Sequence, residues 1–312
     1  MACQDRVIRM IERLSKDHSI NLAFIYKTND EVVSSRKNLE QFCHKIIPLR
    51  AINPRVNYVN RAYYKIKNSL VHSLTKIPLP FLYLGAHRYL SQLQKIIHES
   101  TYDIVQIEYC HLGGIFKCCG KNVIKVIDTQ MIAYKEQELD YVNEFGKTLP
   151  TKKRKELQKY KTIESQILNS SDINIGISNS DMNDLKAINP NNKTVLIYTG
   201  QDINFYRDFP RKPEPKAILF YGSMGGKQNV LAFFRLYDEI LPLLKTRLKE
   251  CKLFVVGANP PGSIKKLHDN NNIVVTGYVD DVRSYLSKSN VMLIPLDVGV
   301  GFRSRIVEVL AM

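Results

Sequence analysis

The sequence has 312 residues, of which 44% are hydrophobic and 24% charged, and its formal net charge is +15. That composition excludes a chain disordered throughout, and the length suits about two domains, because single cores tend to split beyond about 250–300 residues. Residues 1–25 carry charges throughout and hold no secretory apolar region. No apolar run approaches the ~18 residues of a membrane-spanning helix, so the expectation is a soluble, cytoplasmic protein.

In chain order, strands are expected at 20–26 (INLAFIY), 45–49, 103–109, 122–128, 172–177 and 194–198, with a long polar helix over 151–169 before the fifth. Between Glu40 and Glu99 there is no acidic residue, while Lys45, Arg50, Arg55, Arg61, Lys65, Lys67, Lys76, Arg88 and Lys95 supply nine cations. Such a stretch attracts phosphates; a merely solvated basic face is the plain alternative. The aliphatics among its charges (Leu79 to Leu84) favour peripheral contact with an anionic membrane over nucleic acid. No aromatic stacking platform or nucleic-acid module is visible, so no nucleic-acid partner is expected. The six cysteines form no CxxC pair and no zinc spacing; reduced thiols and no metal site are expected.

The segment 206–216 (YRDFPRKPEPK), with three prolines, is expected to be a linker between domains 1–205 and 217–312. Beyond it, strands are expected at 216–222, 252–257, 272–277 and 290–296. They alternate with a helix over 229–248 that Pro242 bends or divides, a short one at 262–269, another over 280–289, and one from 303. Continuous apolar strands alternating with helices mean parallel sheets covered on both faces. The fold class is therefore α/β, with two Rossmann-like domains and a ligand cleft at the C-terminal ends of their strands.

The loops carry the chemistry. "YGSMGGKQN" (221–229) follows the first strand of the second half, where glycines let backbone N–H groups approach a phosphate at a helix N-terminus. It is no ATP-hydrolysing P-loop: Gly222, Gly226 and Lys227 sit one residue too close, and Gln228 stands where a Mg²⁺-ligating hydroxyl is required. The closing "GVGFRSRIVEVLAM" (299–312) places Gly299, Gly301, Arg303, Arg305 and Glu308 together. Guanidinium groups suit a diphosphate, and a carboxylate suits vicinal ribose hydroxyls; a plain Arg305–Glu308 surface pair is the competing explanation.

Taken together, "ILFYGSMGGKQNVLAFFRLYDEILPLL", "LFVVGANPPGSIKKL" and "NIVVTGYVDDVRSYLSKSNVMLIPLDVGVGFRSRIVEVLAM" resemble the donor-binding domain of glycosyltransferase family 4, the group 1 transferases of GT-B architecture. The likeness is looser in the first half, where "RVIRMIERLSKDHSINLAFI" resembles the first helix and second strand, and "YDIVQIEYCH" and "KVIDTQ" the middle strands. The resemblance implies a retaining, metal-independent transfer from a nucleotide-sugar to a glycan or lipid-linked acceptor, in cell-surface polysaccharide or glycolipid synthesis. It places Gly222 and Ser223 at the distal phosphate and Arg303 and Arg305 at the diphosphate, with Asn229 and Gly301 also in the donor site. Glu308 falls at the ribose, and Gly277, Tyr278 and Val279 at the base. Glu108, Asp128 and Gln130 would face the acceptor, with His111 the candidate catalytic imidazole.

Three positions depart from the pattern: Gln130 where many members have His, Val300 where many have a second Glu, and Ser223 where a cation is common. The resemblance also implies that the family's opening Gly-rich strand and closing strand and helices are missing, which leaves a nucleotide- or partner-binding protein without turnover as the alternative. A chain so cut is expected to be poorly soluble and inactive alone.

Overall fold

The computed structural model describes residues 2–26, 28–50, 87–248, 250–269, 271–296 and 303–312. The chain divides into two compact units, Met1–Thr199 and Gly200–Met312. The part of the acid-free basic stretch at 51–86 and the residues 297–302, Gly301 included, lie outside the described residues.

In the first unit, α1 (Ala2–Leu14) precedes the parallel pair β1 (Asn21–Tyr26) and β2 (Lys45–Arg50), registered Asn21 with Lys45 through Tyr26 with Arg50. Val7, Ile8, Ile11 and Leu14 recur at helical spacing along α1, and Ile11 is buried. Between the two strands lies α2 (Asn29–Leu39), capped by Thr28, whose hydroxyl accepts from the Glu31 N–H. After α3 (His87–Glu99), a second parallel sheet runs β3 (Ile104–Glu108), β4 (Ile124–Asp128), β5 (Ile173–Gly176) and β6 (Lys193–Leu196) in spatial order. Ile107, Ile115, Phe116, Ile127, Ile132 and Leu168 form its core.

Two helices make a hairpin on this sheet: α4 (Ala133–Phe145) and α5 (Thr151–Asn169). The latter buries Tyr160, Glu164 and Leu168, spaced four apart on one face, and turns Lys152, Arg154, Lys155, Lys159 and Lys161 outward. Helix α6 (Asn179–Ile188) links β5 to β6 and is capped by Ser178, and a 3-10 helix over Cys110–Cys118 follows β3.

The second unit begins with α7 (Ile203–Arg207) and holds one parallel sheet, in the order β10 (Val291–Met292), β7 (Ala217–Tyr221), β8 (Lys252–Val256), β9 (Ile273–Gly277). Residues 217–220 and 253–256 are buried throughout, as strands covered on both faces must be.

The expected strand at 290–296 is shorter than its apolar run. Leu293 N–H still donates to Leu219 O, but Pro295 has no N–H to extend the ladder. The expected helix over 229–248 is three pieces: α8 (Lys227–Arg235), a π turn (Leu236–Ile240) and α9 (Leu241–Arg247). The register changes before Pro242, which sits in the first turn of α9, where a missing N–H is tolerated. The 206–216 segment differs from a free linker. Tyr206 is buried in the core of the second unit, and the N–H groups of Lys212 and Glu214 donate to Ser287 O and Lys288 O. Those carbonyls close α11 (Arg283–Lys288) and have no partner inside the helix. Two short helices complete the unit with α11: α10 (Gly262–Lys265) and α12 (Ser304–Ala311).

Candidate functional site

In the second unit the loops after β7, β8 and β9 are tied side by side. Gly222 N–H donates to Val256 O (3.0 Å), Met224 N–H to Ala258 O (2.8 Å) and Gly257 N–H to Gly277 O (3.0 Å). The approach is so close that a Cβ on Gly257 would fall 2.6 Å from the Gly222 carbonyl carbon and closer still to its oxygen. Gly277 has φ +74°, a conformation that favours glycine. Beyond it Tyr278 is 60% exposed, while Val279 packs against the core.

This glycine loop leads into α8, whose N-cap is Gly226 and offers no side-chain acceptor to the helix N–H groups. Lys227, the first residue of α8, and Ser223 are exposed. The mouth of α12 stands against the loop. Arg305 is 8% exposed; its Nη1 donates to Tyr221 O and its Nη2 to Asn229 Oδ1 (2.9 Å). Asn229 in turn donates from Nδ2 to Ser223 O (2.6 Å). Burial, and then the neighbouring Arg303 charge, pull Arg305 below the usual guanidinium value. Arg303 itself is half-buried at the N-cap of α12. Glu308, one turn on, is 8% exposed, and burial together with that carboxylate holds the Tyr221 phenol well above its ordinary value.

In the first unit the candidate carboxylates stand at neighbouring strand ends, since Glu108 and Asp128 are register partners. Asp128 is fully buried; Arg6 of α1 reaches its Oδ2 from Nε (3.0 Å) and Nη2 (2.8 Å), and from Nη1 also donates to Tyr198 O (3.1 Å). Burial still pushes the Asp128 carboxyl up, against the Arg6 charge. Glu108 accepts from Gln106 Nε2 (2.9 Å) and Gln130 Nε2 (2.7 Å); burial and the Asp128 charge push it up as well. Tyr109 (φ 64°) and Gln130 (φ 51°) turn the chain sharply after the two strands.

His111 Nε2 lies 3.0 Å from Tyr160 Oη, and burial lowers its pKa. Beside it the buried Glu164 accepts from the N–H groups of Ala133 (2.8 Å) and Tyr134 (2.7 Å) at the start of α4, and from Cys110 Sγ (3.4 Å).

Sequence reasoning missed Arg6, Tyr160, Glu164 and Tyr221. Of these only Tyr221 had a visible signal, its place at the strand end before the glycine loop. A cavity of about 170 Å³ lined by Leu219, Leu286, Met292 and Val309 lies at the β10 edge, away from the glycine loops. Among the described residues no three His, Cys, Asp or Glu side chains are grouped to hold a metal ion. Nor is any described helix long and apolar enough to cross a membrane.

The sequence model of the family described as Glycosyl transferases group 1 matches residues 215–312. A comparison with curated protein sequences finds no match. Among solved structures, the chain is similar to sucrose-phosphate synthase from Thermosynechococcus elongatus, with 15% identity and a TM-score of 0.54 over 73% of this chain and 58% of that one. It is similar to Anabaena HepE, solved in complex with UDP-glucose (13% identity, TM-score 0.55, 98% of this chain and 74% of that one). It is also similar to the N-terminal domain of Candida albicans trehalose-6-phosphate phosphatase (12% identity, TM-score 0.59, 99% and 75%). The chain thus spans 58% of the length of the sucrose-phosphate synthase. Residues 215–312 match the group 1 glycosyltransferase family model, and the chain has the GT-B fold of the similar solved structures.

Proposed function

We propose that the protein is a glycosyltransferase that moves a sugar from a nucleotide-sugar to a glycan or lipid-linked acceptor with retention at the anomeric carbon, in cell-surface polysaccharide or glycolipid synthesis. One observation carries this reading: Arg305, with Arg303 two residues before it, is bonded to the glycine loop that leads into an α8 N-terminus without a side-chain cap. An anion is attracted by the two positive charges and accepts from the N–H groups of the α8 N-terminus. A diphosphate is both the donor's charged part and the leaving group, so the same positive charge opposes the build-up of negative charge as the sugar departs. In this reading Glu308 meets the ribose, and Gly277, Tyr278 and Val279 flank the base. HepE was solved with UDP-glucose, which makes UDP-sugars the first donors to test.

Glu108, Asp128 and Gln130 are assigned to the acceptor. His111, whose lowered pKa keeps it neutral at pH 7, is able to take a proton from an acceptor hydroxyl. The outward cations of α5 suit peripheral contact with the anionic inner face of the plasma membrane, the protein being cytoplasmic.

A second reading, nucleotide binding without turnover, is favoured by one feature. Both Glu108 oxygens are taken by glutamine amides, and one of these comes from Gln130, where many transferases of the resembled family have His. The test titrates the protein with UDP and GDP and assays transfer from a panel of nucleotide-sugars. Arg303→Ala is expected to weaken nucleotide binding by about 1.5–3 kcal/mol, the size of a charge-assisted hydrogen bond. Binding without transfer selects the second reading, and no nucleotide binding at all removes both.

A further inference from the structure

Arg303 and Arg305 are two residues apart, yet the structure gives them different surroundings. The Arg305 guanidinium is 8% exposed and turned inward, with one nitrogen on the Tyr221 carbonyl and another on the Asn229 amide oxygen. The amide nitrogen of Asn229 then holds Ser223 O at 2.6 Å. This chain of bonds encloses the glycine loop between its two ends, Tyr221 and Asn229. A Cβ on Gly222 would lie 3.1 Å from Arg305 Cζ and closer still to Nη1, so the loop backbone is laid directly on the guanidinium.

We propose that Arg305 and Asn229 are positioning residues that clamp the glycine loop in its phosphate-receiving shape, leaving Arg303 and the α8 N–H groups as the direct contacts to a nucleoside diphosphate. The ligand part of this inference rests on the donor-site reading above; the clamp itself does not. The two acceptors need a planar fork with two donors, which arginine supplies and lysine, a compact point charge, does not. Charge alone at 305 is therefore insufficient.

The experiment uses the full chain, with Arg305→Lys and Asn229→Ala singly and together. Hydrogen exchange at the Gly222 and Met224 amides, measured without nucleotide, is expected to quicken about tenfold in either variant, the effect of one lost hydrogen bond. The double variant should exchange no faster than the quicker single one, since each substitution breaks the same chain. Titration with UDP and GDP is expected to show the same pattern: about tenfold weaker binding in each variant and no further loss in the double, with the melting temperature of the chain little changed.

Unchanged loop exchange together with weaker nucleotide binding would overturn the clamp and make Arg305 a direct ligand. Additive losses in the double variant would overturn it too. Quickened, non-additive exchange in a protein that binds neither nucleotide would uphold the clamp and sink the donor reading instead.

Discussion

Gly257→Ala is the sharpest perturbation of the second unit. The new Cβ would sit 2.6 Å from the carbonyl carbon of Gly222 and nearer its oxygen, both of them backbone atoms in a neighbouring loop. No side-chain rotamer can relieve that contact. The loops after β7 and β8 must part by about 1 Å, which stretches the Gly222-to-Val256 and Met224-to-Ala258 hydrogen bonds together. Overpacking of this kind costs about 1–3 kcal/mol. Gly257 has φ +155°, and holding an L-residue there adds roughly another 1–3 kcal/mol. The expected loss is about 2–5 kcal/mol, which lowers the melting temperature of this unit by about 10 °C or more. Gly262→Ala is the control, because its Cβ meets nothing within 4 Å and its position in α10 favours alanine. The chain has no tryptophan, so thermal melts are followed by circular dichroism, with exchange of the 217–224 amides reporting on the unit itself. Equal melting temperatures for the two variants would refute the close approach of these loops.

Arg6→Leu leaves the fully buried Asp128 without its cation. A destabilisation of about 3–5 kcal/mol is expected on urea denaturation, and Arg6→Leu with Asp128→Asn should recover part of it. Burial depresses the His111 pKa, so its stabilising contribution is complete above the unfolded value near about 6.5 and is lost as the pH falls through the folded one. The melting-temperature difference between wild type and His111→Gln should therefore be flat above about pH 6.5 and shift against the wild type below it; a flat difference down to pH 5 would contradict the burial of this imidazole. Reversing Lys152, Lys155 and Lys159 to glutamate should reduce co-sedimentation with phosphatidylserine vesicles and leave the weaker association with neutral vesicles unchanged, since about 1 kcal/mol is expected per surface cation. Equal binding of the two proteins to anionic vesicles would take α5 out of the contact.

Much of the architecture was legible because a strand buried on both faces is a continuous apolar run, and the runs at 20–26, 216–222 and 252–257 end where a turn residue or glycine stands. The run at 290–296 misleads for a backbone reason: hydrophobicity does not reveal that Pro295 lacks the hydrogen-bond donor. In the helix over 151–169 the polar pattern marks a helix but not which carboxylate turns inward. Glu164 is buried because it meets the free N–H groups of α4, a partner about thirty residues earlier in the chain. At the candidate site, the glycine loop and the 303–308 segment were each visible as motifs. Their junction was not. The Arg305–Asn229 bond joins residues 76 positions apart, and a motif names residue types without saying which way a guanidinium points.

The three lateral hydrogen bonds between the loops after β7, β8 and β9 continue the sheet past its strands. Backbone held in this way has already lost its conformational freedom at folding, about 1–2 kcal/mol for each residue. A ligand arriving at these loops has little chain left to order. Its association should therefore carry neither the large heat-capacity change nor the unfavourable entropy of coupled folding.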